Sequence, residues 1–148
     1  MLECLIVGDS IAVGLSNVRK ECVSYSKGGI NSKQWVNTNI QNTPLQAKSV
    51  IISLGSNDHK YVKTLDELRT IRQLTKADRV YWVLPAGNHP KSNIKIEDIQ
   101  AIVQQVAKEN GDIVLPITRL QTDGIHPSWA GYKAVSYTHL TLPTKRIV

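Results

Sequence analysis

Four short polar stretches hold the side chains that could do chemistry: Gly8-Asp9-Ser10, Gly28-Gly29, Gly55-Ser56-Asn57-Asp58 and Asp123-Gly124-Ile125-His126. A serine hydroxyl becomes a useful nucleophile when an imidazole takes its proton, and a carboxylate holds that imidazole in the right tautomer. Ser10, His126 and Asp123 supply those three groups. Acyl transfer also needs N–H donors aimed at the oxygen that gains charge. The Ser10 amide, the Gly29 amide and the neutral Asn57 side chain are donors of that kind, with Asp9 and Asp58 as supporting residues that shape the loops. Each stretch also has an ordinary reading. A serine before a helix is usually its N-cap, Gly-Gly a turn, an asparagine after a strand a turn former, and Asp-x-x-His a turn or half a metal site. For a metal, the further ligands are missing: His59 and His89 stand singly, without carboxylates at ligand spacing, so no metal is expected.

Convergence of the four stretches needs a scaffold that brings them to one rim. Residues 2–7, 22–26, 49–54, 79–84 and 112–115 are short and rich in Val and Ile, as parallel strands buried on both faces tend to be. Residues 10–17, 32–39, 64–74 and 95–110 lie between them as helices. In the third, Thr64 is expected to cap with Glu67 three residues on, and Leu65, Leu68, Ile71 and Leu74 to line one face. In the fourth, Ile96, Ile99, Ile102, Val103 and Val106 repeat at helical spacing until Asn110-Gly111. Parallel strands need crossover helices of right-handed sense, so the alternation implies a three-layer α/β/α sandwich around a five-stranded parallel sheet. Ligands of such sheets bind beyond the carboxyl ends of the strands. Three of the four motifs follow strands directly, and the fourth follows the last strand by a loop.

Composition narrows the field. The chain has 148 residues, a formal net charge of +6 and no break that marks a linker, which fits one domain. Lys60, Lys63, Arg69, Arg72, Lys76, Arg79 and Lys91 are scattered without interleaved aromatics, so no nucleic-acid platform is expected. No apolar run has signal-peptide or membrane-span length, which makes a soluble, cytoplasmic protein the default expectation. Cys4 and Cys22 form no metal-type pair and are expected as reduced, strand-buried thiols, with a disulfide open if their strands are neighbours. Trp35, Trp82 and Trp129 could line a pocket, but core packing is the usual place for an indole, Trp82 above all. His89 follows the fourth strand and borders the rim as a surface-loop residue.

Residues 135–148 need separate treatment. Ser136-Tyr137-Thr138-His139-Leu140 is the in-frame translation of TCT TAT ACA CAT CT, a transposase-recognised end used in library preparation. Residues 1–134 are therefore read as the domain and 135–148 as an adapter-encoded tail outside the fold. Excluding it removes Lys145 and Arg146 and lowers the net charge by two, leaving a modest basic excess.

Taken together, the four blocks resemble in order and spacing the SGNH hydrolases, the GDSL-type esterase and lipase superfamily. They span almost all of the chain before the tail. The first block reads Gly-Asp-Ser-Ile where the family has Gly-Asp-Ser-Leu, one aliphatic for another. The second block's glycine position falls on Gly28 or Gly29, with Gly29 preferred because Ser32 then falls on the family's downstream hydroxyl. The resemblance implies a flavodoxin-like sheet and Ser10 as nucleophile. It implies His126 as base, Asp123 as its orienting acid, and Ser10, Gly29 and Asn57 as the oxyanion hole. It further implies a carboxylic ester substrate, a small molecule or an acetylated or cell-wall glycan, with no cofactor, and leaves room for a phage or prophage association. A chain without Phe or an apolar lid favours a short acyl group. The competing reading is a flavodoxin-like module that binds a ligand or glycan at the same rim without turnover. Neither Gly-x-Gly-x-x-Gly nor a Lys-bearing P-loop is present to support a nucleotide. The sequence leaves the oligomeric state open.

Overall fold

The computed structural model describes residues 2–86 and 93–117. Its elements run β1 (Leu2–Gly8), α1 (Ser10–Val18), β2 (Val23–Ser26), α2 (Ser32–Asn39), β3 (Gln46–Ser53), α3 (Thr64–Leu74), β4 (Lys76–Leu84), α4 (Ile96–Asn110) and β5 (Ile113–Pro116). The five strands form one sheet in the order β2-β1-β3-β4-β5, every neighbouring pair parallel. This is the flavodoxin-like order, whose switch point lies between β1 and β3.

The strand order explains where the helices go. From β1 the chain steps outward to β2, and every later crossover steps the opposite way. Right-handed connections therefore put α1 on one face and α2, α3 and α4 on the other. The core divides accordingly. Leu5, Val7, Val50, Ile52, Val80 and Trp82 point to one side, where they pack with Trp35, Leu68, Ile71, Ile99, Val103 and Val106. Ile6, Ile51, Tyr81, Val83 and Leu115 point to the other, with Ile11, Ala12 and Leu15 of α1. The period of two along each central strand serves both faces, which is why these strands read as continuous apolar runs.

The boundaries differ from the sequence reading in instructive places. β3 begins at Gln46 and β4 at Lys76, each three residues before the apolar run, because their leading ends pair in the sheet while most of their side chains stay exposed, Ala47 excepted. Gly111 ends α4 in the left-handed conformation, φ +69°, as the Asn-Gly pair suggested. Leu74 does not join the apolar face of α3. It lies at the last residue of the helix, 52% exposed, while Leu68 and Ile71 are buried.

Cys4 and Cys22 are not reduced thiols: they are joined in a disulfide. The register Leu5↔Val23 sets the residue before each strand partner side by side, and the two Cα atoms are 4.8 Å apart. That distance is within the range a disulfide bridges without moving the backbone.

Candidate active site

The site is built where β1 and β3 end. Gly8 has φ +142°, and a Cβ on it would lie 1.8 Å from the Ser53 carbonyl oxygen, so only glycine lets the strands approach this closely. Beyond it, the Asp9 amide donates to that same carbonyl at 2.9 Å. Asp9 then caps α1, its Oδ1 accepting from the Ile11 amide at 3.0 Å and from the Ser53 hydroxyl at 3.2 Å. The cap is therefore Asp9 and not Ser10. Ser10 is the half-buried first residue of α1. There the first-turn amides lack intrahelical acceptors and the helix dipole favours negative charge.

The second loop comes to Ser10 from the β2 side. The Lys27 amide donates to the Gly8 carbonyl at 3.0 Å, which ties this loop to the end of β1. A Cβ placed on Gly28 would be 3.8 Å from the Ser10 Cβ, so Gly28 is the residue that lies against the nucleophile candidate. Gly29 has φ +78° and open space where its Cβ would be. Its backbone conformation, rather than crowding, excludes a side chain. Asn31 and Gln34 then form a reciprocal capping box that starts α2.

The third loop is fastened to the second. Asn57 Nδ2 donates to the Ile30 carbonyl at 3.0 Å. Buried Asp58 accepts from the Ser32 amide and the Thr64 hydroxyl, both at 2.8 Å. Thr64 is consequently not the N-cap of α3. That position falls to Lys63, without a side-chain cap, and the Thr64 hydroxyl serves Asp58 instead. The three motifs thus hold one another: Ser53 on Asp9, Asp58 on Ser32, Asn57 on Ile30, and Gly28 against Ser10. Asp9 and Asp58 each accept a hydrogen bond that crosses from one strand-end segment to another.

Electrostatically, Asp9 is the unusual member. Burial pushes its carboxyl up from 3.8 to about 7, against the lowering effect of the hydrogen bonds from Ile11 and Ser53, and the charge of Asp58 adds to the rise. Its Oδ2, with Ser32 Oγ and Ser56 Oγ, is buried without a partner among the described residues. As for metals, the described residues contain a single cluster of three possible ligands, Cys4, Glu21 and Cys22, and two of its sulfurs are already joined to each other. His59 is turned to its own loop, its Nδ1 accepting from the Tyr61 amide.

No protein-family model and no curated protein matches the sequence. Solved structures do match. A GDSL-like lipase from Bacteroides thetaiotaomicron is 18% identical with a TM-score of 0.71, over 99% of this chain and 89% of its own. A member of the lipolytic G-D-S-L family from Veillonella parvula is 15% identical with a TM-score of 0.68, over 100% of both chains. The catalytic domain of peptidoglycan O-acetyltransferase A from Streptococcus pneumoniae is 15% identical with a TM-score of 0.64, over 97% of this chain and 90% of that domain. The chain has the SGNH hydrolase fold.

Within the SGNH fold, Ser10, Gly29 and Asn57 lie on three neighbouring strand-end loops, as the order of the motifs implied. Asp123 and His126 lie outside the described residues, as do His89, Trp129 and the tail at 135–148. Trp35 and Trp82 are core residues, 0% and 1% exposed. No described helix is long and apolar enough to cross a membrane. Sequence reasoning missed Ser53, whose hydroxyl holds Asp9. Its only signal was a lone hydroxyl near the end of an apolar run. It also missed Lys27, on the exposed loop beside Gly28, for which the sequence offered no signal beyond adjacency.

Proposed function

We propose that the chain is a serine esterase of the SGNH superfamily that hydrolyses a short-acyl carboxylic ester, an acetylated carbohydrate or cell-wall glycan being the substrate class that fits best. The supporting observation is the mutual fastening of the first three motifs around Ser10, with capping of α1 assigned to Asp9. Ser10 Oγ attacks the ester carbonyl while its proton passes to His126, and Asp123 orients that imidazole and stabilises its protonated form. Negative charge on the carbonyl oxygen is received by the amides of Ser10 and Gly29 and by Asn57 Nδ2. One Nδ2 proton is committed to Ile30, which fixes the direction of the other. Collapse expels the alcohol, protonated by His126, and leaves an acyl group on Ser10. Water, deprotonated by His126, then releases the acid. The acetyl preference draws on the likeness to the peptidoglycan O-acetyltransferase domain. No step calls for a cofactor.

Hydrolysis of p-nitrophenyl acetate by the purified chain tests this, with Ser10→Ala as the paired control and circular dichroism as the check on folding. Turnover should fall by about three to six orders of magnitude in the variant, and a fluorophosphonate should label Ser10. Equal activity in wild type and a folded Ser10→Ala sample, or a folded wild type that neither turns over nor labels, would reject the assignment in favour of a binding module.

A further inference from the structure

Beside Ser10, on the side of α2, lies a depression of about 330 Å³ lined by Lys27, Gly28, Gly29, Ile30, Gln34 and Thr38. Its position relates it to the site directly, for Gly28 lies against Ser10 and Gly29 carries the candidate oxyanion amide. Anything bound there would sit one residue from the reacting centre. At the low end of small-molecule site volumes, it would admit a group of monosaccharide size and not a long acyl chain.

The chemistry of the lining is one-sided. Lys27 contributes a cation, and no carboxylate belongs to the lining among the described residues. Gln34 is fixed by the capping box: its Oε1 accepts from the Asn31 amide at 3.0 Å, so the part of the side chain left to meet a ligand is the Nε2 donor. Thr38 adds a hydroxyl. A cation, a primary amide presenting N–H and a hydroxyl, arranged around two residues without side chains, complement an anionic group rich in oxygen.

We infer that this depression is a subsite for a carboxylate, so that the preferred ester carries a carboxylate on a compact portion lying toward α2. As a substrate subsite it rests on the esterase reading; as a carboxylate site it stands on the lining alone.

The test separates the two. Glutarate and its neutral isostere glutaramide are titrated into the isotopically labelled wild-type chain, and amide shifts are followed by NMR. Glutarate should move the amides of residues 27–30 and of Thr38, and glutaramide should not. Lys27→Ala should weaken glutarate binding about three- to fivefold, Lys27→Arg should restore it, and raised salt should weaken it. In parallel, the ratio of kcat/KM for 4-acetoxybenzoate to that for 4-acetoxybenzamide should exceed one and fall in Lys27→Ala. Equal shifts with both probes, shifts elsewhere, or no shifts overturn the subsite, even if p-nitrophenyl acetate is hydrolysed through Ser10. Carboxylate-specific shifts in a chain without esterase activity uphold the site and remove the esterase reading alone.

Discussion

A buried carboxyl whose proton leaves near neutrality makes Asp9, among the described residues, the one whose titration bears most on folding. Its carboxyl titrates near 3.8 when unfolded and at about 7 in the fold. Between those values the folded chain binds the proton and the unfolded chain has lost it. Stability is therefore greatest at the acid end of the window and falls as pH rises toward 7, by about 4 kcal/mol in this one contribution. Asp9→Asn keeps an acceptor for the Ile11 amide and cannot ionise. Urea midpoints measured from pH 4.5 to 8 should show the decline in wild type and a flatter profile in the variant, and parallel profiles would count against it. The first three motifs were readable as strand-end loops because each directly follows an apolar run; the fourth lies outside the described residues. The partners of the motif residues were not readable: nothing in the sequence says that the Thr64 hydroxyl donates to Asp58 rather than accepting from an N–H of its own helix, since a hydroxyl can do either and only the fold decides.

At the scale of elements, the β1–α1–β2 unit carries the candidate nucleophile at one end and a disulfide at the other. The bridge from Cys4 to Cys22 closes a segment with a sequence separation of 18 that contains Asp9 and Ser10. Opening it frees the unfolded chain more than the folded one, which retains the β1–β2 ladder. The expected loss is about 3 kcal/mol. Denaturant midpoints with and without a phosphine reductant measure it, with the Cys4→Ser, Cys22→Ser double variant reproducing the reduced value; no difference would mean that the bridge constrains nothing the ladder does not. Element types were legible because apolar period and turn residues agree along the chain. The disulfide was not, because it depends on which strands are neighbours, and neighbourhood follows from the whole topology. The same limit explains the early starts of β3 and β4, whose leading residues pair in the sheet with mostly exposed side chains.

Over the whole molecule, the half of the sheet far from Ser10 is tied together by one polar cluster. Asp112, just before β5, accepts from Arg72 Nε at 2.7 Å and Arg72 Nη2 at 3.0 Å, and from the Trp82 indole at 2.9 Å. It joins α3, β4 and β5, and its side chain is 4% exposed. Asp112→Ala leaves a guanidinium and an indole N–H without their acceptor, so a loss of about 3–5 kcal/mol is expected in denaturant unfolding. A loss below about 1 kcal/mol would show that water replaces the carboxylate. The layer order was legible from strand–helix alternation, and the face taken by each helix follows from handedness once the strand order is known. The cluster was not, for Arg72 and Asp112 are forty residues apart with no pattern between them. The two buried indoles have a further use. Trp35 on α2 donates to the Tyr25 carbonyl and Trp82 on β4 donates to Asp112, so each ring is dry and fixed within the same half of the core. Indole emission shifts to longer wavelength when water reaches the ring. Among the described residues these two rings thus form an intrinsic optical reporter of sheet-to-helix packing, one on each side of that interface, and substitution of Trp129 would leave them as the sole indole emitters.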